Sequence, residues 1–171
     1  MKTAAVLAAL AIALVLQATL AGMSMAAGTR VNLVLVAVVY AALAYGPVTG
    51  MLAGTAGGLA QDAIAGGIVG VGGLSKTIVG FLVGVLGAQF IVTTTIPRLL
   101  MFIAASLVHE VCFQGLSALV ESRGFHMQYS VVFVQALVNA FVGILAFFLV
   151  ERGPDLVQRR SWRTASSRRW Y

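Results

Sequence analysis

The sequence predicts an all-α protein: a polytopic bundle of six transmembrane helices. Three observations predict it. Of 171 residues, 60% are hydrophobic and 9% charged, against about 45–50% and about 25% in an ordinary soluble domain. Apolar runs recur along the chain, several near the roughly 20 residues a helix needs to cross the hydrocarbon layer. The breaks between them are short, so six spans use up residues 1–152 and leave no room for a second, soluble domain. Only 153–171 remains, as a basic tail. The net charge of +6 sits mostly there, because Arg152 and the residues after it contribute +5. The basic balance therefore belongs to one end of the chain and does not mark a nucleic-acid-binding fold.

The first span covers about residues 3–21 behind Lys2. A positive start, an apolar stretch and small residues near Ala18 to Gly22 also fit a signal peptide. The apolar run is longer than a usual signal core and further spans follow directly, so an uncleaved helix is the simpler reading. A polar break with Gly28, Thr29, Arg30 and Asn32 precedes the second span, 31–45. Gly46-Pro47 ends that span, since proline disfavours helix at the residue before it. The third span is 48–61. Asp62 to Gly73 is too glycine-rich for regular helix throughout, and reads as a surface loop or a segment buried against protein. Ser75 is the expected N-cap of the fourth span, 75–94. Thr95-Ile96-Pro97-Arg98 reads as a turn before the fifth span, 99–120. A loop holding Arg123 and His126 leads to the sixth span, 129–150, which Glu151-Arg152-Gly153-Pro154 is expected to stop.

Lysines and arginines near span ends set orientation. With both termini inside, the inner side holds Lys2, Arg98 and the six tail arginines. The outer side holds Arg30, Lys76 and Arg123. Both termini are therefore expected in the cytoplasm.

Glycine carries the most specific pattern. Thirteen of the 19 glycines lie between Gly46 and Gly87. Gly46, Gly50, Gly54 and Gly58 recur every fourth residue along one helix ridge, and Gly80 and Gly84 repeat the spacing. Small residues so placed let helix backbones approach closely in lipid. The ridge serves either packing within the bundle or a face for a partner helix.

Charges near spans need an interface, water or a partner. Asp62 and Lys76 bracket the glycine-rich passage and can pair across the outer ends of the third and fourth spans. His109 and Glu110 lie in the fifth span, about 100° apart around its axis, so they do not share a partner. Glu110 is expected to be protonated or hydrogen-bonded inside the bundle, with Gln89, Gln114, Gln135 and Asn139 as candidate partners. A zinc-protease helix needs a second histidine four residues after the first, and Phe113 stands there. No metal site is expected. No nucleophile–histidine spacing and no phosphate-binding loop appear, so neither an enzyme nor a cofactor is expected. Cys112, the single cysteine, reads as a small apolar residue. In the tail, Arg159, Arg160, Arg163, Arg168 and Arg169 alternate with Trp162, Trp170 and Tyr171. That pattern suits anionic lipid headgroups at the cytoplasmic face, or a topology anchor.

The run GMLAGTAGGLAQDAIAGGIVGVGGLSKTIVGFLVG resembles the core motif of the rod shape-determining protein MreD family. The matching positions are Gly54, Gly58, Leu59, Asp62, Gly66, Gly70, Leu74, Lys76 and Gly80. Arg30-Val31-Asn32 stands where many members carry an Arg-Pro-Asp-like lead-in. The resemblance implies a non-enzymatic scaffold in the bacterial inner membrane. Its implied companions are MreC, MreB, RodA and a transpeptidase, in peptidoglycan synthesis and rod-shape maintenance. It also implies a fold like the substrate-binding S components of vitamin transporters. The alternative function is thus a small-molecule-binding transporter subunit. Few polar groups in the spans favour helix–partner contacts instead, through Gly46, Gly50, Gly54, Gly58, Asp62, Gly66, Gly70, Lys76, Gly80 and Gly84.

Overall fold

The computed structural model describes residues 2–20, 31–66, 68–90, 95–121 and 129–166. These residues form six α-helices: α1 (Lys2–Leu20), α2 (Leu33–Tyr45), α3 (Pro47–Ala65), α4 (Val71–Gln89), α5 (Thr95–Glu121) and α6 (Tyr129–Ser166). Four of them, α1, α4, α5 and α6 up to Leu149, are long and apolar enough to cross a membrane. α2 is apolar but has 13 residues, about 20 Å at 1.5 Å per residue. α3 is not among the four.

α2 is the hub. Among the described residues it is the helix that touches all five others, while α1 touches α2 and α3 alone. Its valines and alanines explain the position, because small and β-branched side chains fill a crowded centre without long tails. Val34, Leu35, Val38, Val39 and Ala42 are almost wholly buried. One face packs with Val79, Val83, Phe102, Ala105 and Ala140 from α4, α5 and α6. The other packs with Val6, Leu10 and Ala13 of α1 and Ala53 of α3.

Several helix ends differ from the sequence expectation, each for a physical reason. α2 begins at Leu33, with Asn32 as N-cap accepting from the Leu35 N–H at 3.0 Å. α3 runs on to Ala65 and closes on Gly66 in the left-handed region (φ 68°), a conformation glycine adopts without penalty. α4 begins at Val71 on Gly70 (φ 111°), so Ser75 is no N-cap. It lies inside the helix, fully buried, donating to the Gly72 carbonyl at 3.0 Å. Thr95 to Arg98 is the first turn of α5 and not a loop. Proline is tolerated there because its missing N–H would have had no helical partner. Gly153-Pro154 does not stop α6, which continues to Ser166. Proline removes one backbone bond and kinks a helix, but it leaves the turns on either side able to form.

Candidate functional site: a glycine-packed hairpin and a buried polar chain

The glycine ridge lies between α3 and α4. A Cβ on Gly54 would run into the Lys76 carbonyl, and one on Gly50 into the Gly80 carbonyl. On Gly58 it would meet Gly73 Cα at 2.5 Å, and on Gly84 the N of Pro47 at 2.6 Å. The pairs run in opposite directions along the two helices, so α3 and α4 form an antiparallel hairpin in backbone-to-backbone contact. Thr55 and Thr77 bridge it, hydroxyl to hydroxyl, at 2.8 Å. Of the two readings of the ridge, this geometry is the one of packing within the bundle: Gly50, Gly54, Gly58, Gly80 and Gly84 face each other's helix. Gly46, Gly66 and Gly70 do not belong to the ridge. Each has positive φ, and a Cβ there would touch nothing, so their role is to turn the chain.

Asp62 locks the hairpin. Its Oδ2 accepts from the Gly70 N–H at 2.9 Å and the Gly73 N–H at 3.1 Å. Gly70 has no side chain to cap α4, and the carboxylate of α3 supplies that cap from across the link. A negative group at a helix N-terminus also complements the helix dipole. Lys76, expected to pair with Asp62, is 2% exposed. It lies in the electrostatic reach of both Asp62 and Glu110.

The polar groups continue through the bundle. Asn32 takes part in three contacts. Its N–H donates to Asn139 Oδ1 at 2.9 Å, its Oδ1 accepts from Leu35, and its Nδ2 meets His109 Nε2 at 3.1 Å. Because Oδ1 faces a backbone donor, Nδ2 is the donor toward His109, and the imidazole proton is assigned to Nδ1. Gln17 of α1 completes the end of α2, donating to the Val31 carbonyl and accepting from the Leu33 N–H, both at 2.7 Å. Three helices thus supply side chains to one helix start. Glu110 points elsewhere. Gln114 and Gln135 donate to its two oxygens at 2.7 Å and 3.3 Å. Among the described residues, no group of three or more His, Cys, Asp or Glu is arranged to hold a metal.

Asn32 and Gln17 went unread as site residues. Both carry a signal: an asparagine before an apolar run is an N-cap pattern, and a glutamine inside a span seeks an interhelical bond. The tail arginines Arg159, Arg160 and Arg163 lie on α6, but their side chains are outside the described residues. Arg30, Arg123, His126, Arg168 and Arg169 are outside them altogether.

A family model described as rod shape-determining protein MreD matches residues 2–152. No curated protein and no solved structure matches the chain.

Proposed function

Since the chain belongs to the MreD family of rod shape-determining membrane proteins, we propose that it is a non-enzymatic scaffold of the bacterial cell-elongation machinery. In this reading all six helices cross the inner membrane and both termini are cytoplasmic. An MreC-like protein is its immediate companion, with MreB, RodA and a transpeptidase in the wider assembly that makes peptidoglycan. The tail arginines, including Arg168 and Arg169, hold anionic headgroups on the cytoplasmic side, where each basic residue contributes about 1 kcal/mol.

The observation that carries the reading is how the polar and glycine residues are spent. Asp62, Asn32, Gln17, Asn139 and the glycine ridge fix helices to one another. A rigid bundle of this kind suits a protein whose work is to hold partners in place. Asp62, Lys76 and the ridge then act indirectly, by keeping α3 and α4 as one unit whose outer faces are available.

Affinity purification of the full chain in mild detergent, with the eluate assayed for proteins and small molecules, tests the proposal. The expected result is an MreC-like protein in stoichiometric amount. A stoichiometric vitamin-like ligand without such a partner would overturn it in favour of a transporter subunit.

A further inference from the structure

α3, α4 and the middle of α5 hold two acidic side chains, Asp62 and Glu110, and one basic side chain, Lys76. Asp62 is committed to the start of α4, and Lys76 is buried. Glu110 is different. It is half-buried, as are the two glutamines that bond it, Gln114 and Gln135. The surroundings are apolar and open: Phe113, one turn from Glu110, is 38% exposed, and Val134, beside Gln135, is 44% exposed. A polar patch of Glu110 with its two glutamines therefore lies midway along the α5–α6 face. Hydrocarbon is a poor cover for it, because ionisable groups at that depth are costly unless partnered.

We propose that this patch is the docking site for a partner transmembrane helix that brings one basic side chain to the level of Glu110. Charge complementarity selects the occupant. A basic side chain would give the Glu110 carboxyl, so far held only by neutral amides, a charge-assisted partner. A second copy of this chain is a poor occupant, since its Lys76 is buried in its own bundle. The inference rests on the scaffold reading and moves the contact from the glycine ridge, which is already occupied, to α5 and α6.

The test places a photo-crosslinking phenylalanine analogue at Phe113 or Val134, and for comparison at Leu52 of α3 or Phe81 of α4, in the full chain in its own membranes. Leu52 and Phe81 are 60% and 45% exposed. The expected adducts arise from positions 113 and 134, and join a peptide from a transmembrane segment with a lysine or arginine near its middle. Glu110→Gln should lower the yield by about 10-fold or more, since it removes the charged half of the pair. Glu110→Lys, paired with an acidic residue at the partner's basic position, should restore it. The pair also serves as readout if Glu110→Gln fails to accumulate. Adducts with lipid or a second copy alone, with a peptide lacking a basic residue, or undiminished in Glu110→Gln would overturn the proposal. Partner adducts from Leu52 or Phe81 alone would overturn the docking site and leave the scaffold reading intact. Protein adducts from none of the four positions would overturn both.

Discussion

Single glycines in this chain have different values, and space decides them. Gly54 sits against the Lys76 carbonyl, whereas Gly115 of α5 faces open space. Alanine at 54 must push two backbones apart, and overpacking of this kind typically costs about 1–3 kcal/mol. Alanine at 115 meets nothing and gains helix propensity of about 1 kcal/mol over glycine. Unfolding of the two variants in mild detergent should therefore show Gly54→Ala destabilised and Gly115→Ala neutral or stabilised. Equal effects would mean that α3 and α4 are not in backbone contact. The four-residue spacing in the sequence located the tight residues Gly50, Gly54 and Gly58. It could not separate them from Gly46, Gly66 and Gly70, because positive φ is a property of the turn and leaves no trace in spacing.

At the scale of elements, the helix starts are where sequence reasoning and structure part. Apolar runs placed all six helices, since burial in a bundle selects for them wherever the partners lie. The caps were less legible. Asp62 caps α4 across an 8-residue separation from Gly70, and Asn139 reaches Asn32 across 107 residues. A reading that looks for a cap beside each helix puts the start of α4 at Ser75, because the real cap belongs to another helix. Asp62→Ala should remove both bonds. The expected loss is about 0.5–2 kcal/mol, the usual range for an N-cap, with the damage confined to the first turn of α4. Amide exchange at Gly70 and Gly73 in detergent should speed up in the variant, while exchange within α2 stays as it was. Faster exchange throughout would assign Asp62 a wider role. The His109–Glu110 pair shows the same limit. Helical geometry separates the two side chains, but only the fold says that one bonds to Asn32 and the other to Gln114 and Gln135.

For the molecule as a whole, the arrangement is a short central helix with five others against it. α1 has the lightest attachment. It meets α2 and α3 alone, and holds through Leu10, which fills the space above Gly57, and through the Gln17 amide. Two separate polar sets tie the helices: Asp62 joins α3 to the start of α4, and Asn32 joins the start of α2 to His109 of α5 and Asn139 of α6. They do so without a disulfide, since Cys112 is free. Stability here rests on directional bonds and close backbone contact, because lipid offers helices no hydrophobic drive toward each other.

The hairpin also bears on how the protein is made. α3 is rich in glycine and is not apolar enough to count among the spanning helices. Leaving the insertion machinery alone, it would present bare backbone and the Asp62 carboxylate to lipid. α4 covers the ridge, and its first turn binds the carboxylate. The two should therefore partition into the bilayer as one unit, with α3 held at the translocation channel until α4 has been synthesised. A chain truncated after Gly66 should leave α3 accessible to a water-soluble thiol reagent at a cysteine introduced for Leu52, and one extended to Phe90 should protect it. Equal protection in both would show that α3 inserts by itself.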